Sequence, residues 1–354
     1  MTTANRQPEV TGVLSWFPLD LPLTQRVIAL FVSKWIIGAL RPLVQLKVPD
    51  LLSDGPRSAE EIAEATGTNA DALFRVLRCT AAAGLLVEDS DGKFGLTPVA
   101  AGLGEGAPGG VRDMFLFASD PMMWRPYEDV LHTVRTGEPK FDQEFGMAFF
   151  DYLKQNPDSN TTFNRAMLQN RYPGSDRVLD SHDFSRYPRI ADVGGGKGQF
   201  LAEVLKRHPG CTGVLCDQPQ VVAEAAEVFE QAGVSDRVAL APTDFFESIT
   251  PGCDAYLIKH TLHNWDDEKA AAILTRVREA IGDNPDARLF VIDMLLTEHG
   301  KWDIGKLVDV EMLIILGGRE RDREEWNRIA RAAGFEPSND PAAGDLVLLE
   351  FRPV

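Results

Sequence analysis

The stretch Arg189–Phe200, RIADVGGGKGQF, constrains the fold more than any other part of the chain. A short apolar run, Ile190 to Val193, enters four glycines, Gly194, Gly195, Gly196 and Gly198. A helical pattern of Phe200, Leu201, Val204 and Leu205 follows. Strand, glycine turn and helix in that order bring backbone N–H groups close to a nucleotide-like ligand. A β-carbon in the turn would block that approach or forbid its dihedrals.

The dinucleotide fingerprint G-x-G-x-x-G fails here, because counting from Gly194 puts Gln199 at the sixth position. Asp192 instead stands two positions before the first glycine. A carboxylate there repels a pyrophosphate and suits a cationic ligand. The next apolar run, Gly213 to Cys216, ends in Asp217, placed to bind a ribose diol. Acid, glycine turn and second acid fit S-adenosylmethionine, which has a ribose, an amino acid and a sulfonium but no phosphate. A tight turn with a structural aspartate is the other reading of this stretch.

A chain of 354 residues is expected to form two domains. Its net charge of −17 argues against nucleic acid or an anionic membrane as partner and favours a small-molecule ligand. Cys79, Cys211, Cys216 and Cys253 show no CxxC and no regular framework, so they read as buried thiols in a reducing cytoplasm. The N-terminus is polar, with no signal peptide pattern. No uninterrupted apolar run reaches 18 residues, so no transmembrane helix is expected.

Four segments follow in order. Residues 1–22 form an irregular arm bearing Leu14, Trp16 and Phe17. Residues 23–110 read as a mainly α winged-helix domain. Within it Arg26–Gln45 is apolar on more than one face, as a dimer interface or a snug internal position requires. Ser58 with Glu61 makes a capping box, and Asn69 or Asp71 starts a second helix that Gly84 ends. Leu85–Val87 and Phe94–Leu96 flank a turn as a hairpin. A winged helix suggests DNA, but only Arg75 and Arg78 lie on the would-be recognition helix of an acidic chain. Residues 111–186 are helical and dense in aromatics and Met, mostly core, with Met167 and Trp124 the first candidates to touch an aromatic ligand. Residues 187–354 alternate strand and helix as a Rossmann-like doubly wound sheet, with a long helix over 219–232 and a last strand from Gly344. Ligands in such sheets sit at the C-terminal strand ends.

The chemistry-bearing residues fall there. Asp244 and Phe245 follow the third strand, suited to an adenine amino group and ring. Lys259-His260-Thr261-Leu262-His263-Asn264-Trp265 follows the fourth. The two histidines lack a third His or Cys with metal-ligand spacing, so no metal is expected. One of them suits a general base instead, since a phenol with a pKa of about 10 must lose its proton and an ordinary His, at about 6.5, is neutral at pH 7. A base needs an orienting carboxylate. Asp293 ends the fifth strand, and Glu320 lies in a charge run that local sequence reads as solvated.

The ordered motifs DVGGGKGQF, CDQPQVV, TDFF, KHTLHNWDDE and GGRER closely resemble S-adenosylmethionine-dependent O-methyltransferases of the plant caffeate and bacterial polyketide-tailoring type. The resemblance runs over nearly the whole chain past residue 25. It implies a homodimer, with His263 rather than His260 as the base. Asn264 replaces the family's commoner Asp. Glu320 matches the glutamate that orients the base, and Asp293, one carbon shorter, takes the place of a second glutamate. Asp192, Gly194, Gly196, Asp217, Asp244, Phe245 and Lys259 match cofactor contacts. Met167, Asp309, Met312 and Leu313 match positions lining the acceptor pocket. The expectation is a cytoplasmic O-methyltransferase of an aromatic small molecule that yields S-adenosylhomocysteine. N-methylation, a hydroxylase or decarboxylase on the same fold, and a non-enzymatic ligand sensor are the alternatives.

Overall fold

The computed structural model describes residues 27–169 and 174–354. Residues 1–22, with Leu14, Trp16 and Phe17, and also Tyr172, lie outside the described residues. Two compact units result, one from residues 27–124 and 156–169, the other from 125–155 and 174–354.

In the first unit, α1 (Ile28–Gln45) leads to α2 (Ala59–Thr66) and α3 (Ala70–Ala82), then to a hairpin of β1 (Leu86–Glu88) and β2 (Phe94–Leu96). Ser58 and Glu61 form the capping box at the start of α2, and Asn69, not Asp71, caps α3 through the Ala72 N–H at 3.0 Å. Leu43, Ile62, Leu73, Leu77, Leu86 and Phe94 close one core. Helices α4 (Arg112–Ala118) and α5 (Pro157–Gln169) pack on each other, with Phe117 edge-on to Phe163 at 5.5 Å.

Helix α1 bears on two expectations. Its mean hydropathy of 1.3 over 18 residues makes it, among the described residues, the one helix long and apolar enough to cross a membrane. Lys34 and Arg41 interrupt its apolar run, which is why no uninterrupted stretch of that length shows in the sequence. Within one chain it is buried on one side only, so the snug internal position fails while the dimer interface does not. Only Ala29, Leu40, Leu43 and Val44 are buried, while Phe31 is 56% and Trp35 64% exposed.

In the second unit, a seven-stranded sheet runs β5-β4-β3-β6-β7-β9-β8. Its members are β3 (Arg189–Val193), β4 (Thr212–Asp217), β5 (Val238–Pro242), β6 (Ala255–Lys259), β7 (Arg288–Leu295), β8 (Phe335–Pro337) and β9 (Gly344–Pro353). The first five are parallel; β9 pairs antiparallel with both β7 and β8. The short strand β8 was not foreseen. Alternation along β3 divides the core: Ala191 and Val193 face α8 (Asp267–Ile281) and α10 (Arg323–Ala332), while Ile190 faces α6 (Gln199–Arg207) and α7 (Ala226–Ala232). The expected helix over 219–232 is broken. Pro219–Val222 ends in i→i−3 hydrogen bonds from Glu224 and Ala225 before α7 begins. Between β7 and α10 lie α9 (Gly305–Glu311) and a π-helical turn, Met312–Leu316.

The order reverses between β3 and β6, which opens a crevice at their carboxyl ends. Trp326 anchors α10 beneath β7. It is 1% exposed and its indole N–H donates to the Met294 carbonyl at 3.3 Å. Trp326→Ala is expected to cost about 3–5 kcal/mol, read as a lower urea midpoint at unchanged slope.

Candidate active site

The glycine turn closes against its surroundings. Gly194 has φ 68, and a β-carbon there would lie 2.8 Å from the Thr261 side chain. At Gly195 a β-carbon would run into the Asp192 carboxylate. Thr261 donates to the carbonyls of Gly194 (3.3 Å) and Lys259 (3.0 Å), tying the end of β6 to the turn. Asp217 accepts from the N–H groups of Gly196 (2.8 Å) and Gln218 (2.7 Å), which fixes its carboxylate at the end of β4. Asp244 is exposed and accepts from the Phe246 N–H, and Phe245 packs on Phe246 and near Trp265.

Asp192 is the unusual member. It is 1% exposed, and neither carboxylate oxygen has a hydrogen-bond partner. Burial pushes its pKa up to about 7, against the pull of Lys259. Burial in turn lowers Lys259, which lies 6.0 Å over the Phe200 ring. A buried carboxylate with nothing to accept from, beside a turn that admits no β-carbon, fits a ligand that brings a positive or donor group.

The two histidines separate by partner. His263, 6% exposed, sits in a single 3₁₀ turn, Leu262–Asn264, and its Nδ1 lies 2.6 Å from Glu320 Oε1. Glu320 is 2% exposed, so the solvated reading of its charge run fails. The run folds inward because Arg321, fully buried, donates to the carbonyls of Leu262 (3.2 Å) and Trp265 (2.8 Å) and pairs with Asp267 at 3.0 Å. Arg319 N–H donates to the His263 carbonyl at 2.9 Å, and a β-carbon at Gly318 would strike that carbonyl. Local sequence had no signal for Arg321, because its partners are backbone carbonyls near residue 263.

Asp293, fully buried, accepts from Met294 N–H and from His260 Nδ1 at 3.1 Å; His263 Nδ1 is 3.5 Å away. His260, His263 and Asp293 thus come together as a set of potential metal donors. The histidine spacing missed the third donor because it arrives on the neighbouring strand. Burial would push His263 down, but the carboxylates of Asp293 and Glu320 outweigh it and carry the ring up to about 9. Burial takes His260 down to about 4 despite Asp293. Glu320 is raised, because burial outweighs the pull of His263.

Asp309, matched to the acceptor pocket, accepts from the Glu320 N–H at 2.8 Å and so holds the backbone of the residue that orients His263. Met312 is half-buried and Leu313 is 37% exposed in the π turn. Trp124, half-buried, and Met167, 41% exposed, belong to the first unit.

Residues 127–336 match the model of an O-methyltransferase domain, and residues 29–104 that of an O-methyltransferase dimerisation domain. The chain belongs to the O-methyltransferase family. It is 37% identical to the 8-amino-8-demethylriboflavin N,N-dimethyltransferase of Streptomyces davaonensis, over 93% of this chain and 95% of that one. It is 34% identical to the phenazine O-methyltransferase of Lysobacter antibioticus, over 94% and 97%. An O-methyltransferase from neocarzinostatin biosynthesis, solved with S-adenosylmethionine and 2-hydroxy-5-methyl naphthoic acid, superposes with a TM-score of 0.79 at 29% identity, covering 90% and 96%. The methyltransferase architecture is therefore a helical N-terminal dimerisation domain followed by an α/β domain with a mostly parallel sheet.

Asp192 makes a stability prediction. Its folded pKa of about 7 exceeds the ordinary carboxylate value, so the fold favours the protonated form and stability is lost as pH rises from about 4 through 7. Asp192→Asn in the ligand-free protein is expected to raise the melting temperature at pH 8 and to change it little at pH 4.

Proposed function

We propose that this O-methyltransferase moves a methyl group from S-adenosylmethionine to a phenolic hydroxyl of an aromatic small molecule in secondary metabolism, with His263 as general base. The observation that carries the reading is the buried 2.6 Å contact of His263 Nδ1 with Glu320. It commits Nδ1–H to the carboxylate and leaves Nε2 as the nitrogen that takes a proton.

Bound S-adenosylmethionine supplies an electrophilic methyl on a sulfonium, so the chemistry asks for no metal. Asp192, Lys259 and the turn at Gly194 and Gly196 would hold it, with Asp217 at its ribose and Asp244 and Phe245 at its adenine. His263 then receives the phenolic proton. Its raised pKa of about 9 brings the ring within about one unit of a phenol, so the transfer costs about 1.4 kcal/mol; an ordinary imidazole would face about 5 kcal/mol. Within the second unit, Met312 and Leu313 are the candidates for contact with the acceptor.

The raised pKa sets the sign of the pH dependence. Below it the ring is protonated and cannot act as base, so kcat/KM rises with pH along a limb well above 6.5. His263→Gln is expected to keep cofactor binding by calorimetry and to lose about 100- to 10,000-fold in turnover. Undiminished methylation of a phenol by that variant, followed with labelled cofactor and mass spectrometry, would remove His263 from the mechanism. An amine acceptor is the second reading, favoured by the 37% identical N,N-dimethyltransferase. The same labelled screen separates the two if phenols and aromatic amines are offered side by side.

The dimerisation domain supports a homodimer. We assign Phe31 and Trp35, exposed on α1, to the interface. Phe31→Ser with Trp35→Glu is expected to halve the particle mass in sedimentation, with the far-ultraviolet spectrum preserved.

A further inference from the structure

His260 has no task in the reaction as described, yet it is built with care. We infer that His260 is a positioning residue: its Nδ1–H holds the carboxylate of Asp293 in place and ionised beside His263. The inference rests on the reading of His263 as the base.

The geometry divides the two imidazoles. Asp293 Oδ1 accepts from Met294 N–H at 3.0 Å and from His260 Nδ1 at 3.1 Å. His263 Nδ1 is 3.5 Å from the same oxygen, and its proton is already committed to Glu320 at 2.6 Å. Asp293 is therefore hydrogen-bonded to His260 and acts on His263 by charge across a short gap. Removing a fully buried carboxylate's donor favours its neutral form. The charge of His263 holds Asp293 below the ordinary carboxylate range first and the hydrogen bond from His260 next, so without His260 part of the charge that faces His263 would fade.

The backbone points the same way. His260 has φ 46, in the left-handed region that a non-glycine residue seldom adopts. Its N–H donates to the Ile292 carbonyl at 3.1 Å, next to Asp293 on β7. The chain leaves β6 by a strained residue that is pinned to the neighbouring strand and delivers its ring to that strand's carboxylate. Burial keeps His260 neutral down to about pH 4, so it donates from Nδ1 throughout the working range. Every charged group around the pair has a place in this account. Asp293 comes from β7, Glu320 and Arg321 from the loop before α10, and Lys259 from β6; Asp309 of α9 faces Glu320.

The test compares pH–rate profiles of three variants of the full-length enzyme. His260→Phe keeps a ring and removes the donor. His260→Asn places an amide N–H near the Nδ1 position and tolerates a left-handed backbone. His263→Gln removes the base. The Phe variant is expected to move the rising limb of kcat/KM down by about one pH unit, because a negative charge beside His263 is lost. The Asn variant should return the limb toward the wild-type position, and cofactor affinity should stay unchanged in both. A limb that does not move in His260→Phe overturns the inference. So does a shift that His260→Asn fails to reverse. If His263→Gln is inactive while the His260→Phe limb stays put, the base stands and only the role of His260 falls. If His263→Gln retains full turnover, both fall. Nitrogen-15 spectra of the wild-type imidazoles give a reading that does not depend on how the variants fold. His260 should appear as a neutral ring protonated on Nδ1 from pH 6 to 9, and the other tautomer or a titration in that range rejects the proposal.

Discussion

The pairing of His263 with Glu320 depends on one clasp between two short loops. Arg321 enters the interior as a full charge and finds the carbonyls of Leu262 and Trp265 and the carboxylate of Asp267. An unpartnered guanidinium there would be far too costly, so the loop that carries His263 must sit where those carbonyls meet it. The neighbouring N–H of Arg319 bonds the carbonyl of His263 itself, and Gly318 leaves no side chain in the way. With both backbones held, Glu320 and His263 have little choice but to face one another. The contact between His263 and Glu320 follows from charge satisfaction a residue away.

The same region shows how burial can be used in opposite directions within a few ångströms. His260 and His263 both have little access to water, yet one ring is driven to remain neutral and the other to remain protonated. The difference is the number of carboxylates within reach. His260 meets one, which it shares; His263 meets two. Two imidazoles on one loop are thereby made chemically distinct without a change of residue type, as in other sites where neighbouring groups are pushed apart in pKa.

Much of this was legible in the chain, and the exceptions have a common cause. The glycine turn, Asp192 and Asp217 are local features; β3 begins and ends where periodicity puts it, and β4 runs one residue further, to Asp217. The capping box at Ser58 is equally local. Residue patterns alone did not choose between His260 and His263, and they set Glu320 aside as solvated. Those decisions rest on a partner 57 residues away in the chain. The third donor of the histidine cluster and the support that Asp309 gives Glu320 were hidden for the same reason. Helix α1 is the converse: its composition was plain, but which of its faces the single chain covers was not.

The solitary carboxylate at the end of β3 carries one more implication. Burial raises Asp192 to about 7, so its protonated form is favoured far above the pH at which an ordinary carboxyl ionises. A cation arriving there would favour the ionised form and evict that proton into the buffer. Association is then coupled to hydrogen-ion release, and acidification weakens the complex although the cation itself does not titrate. A dry strand end would thus make the uptake of a cation at β3 sensitive to pH before any bond is broken.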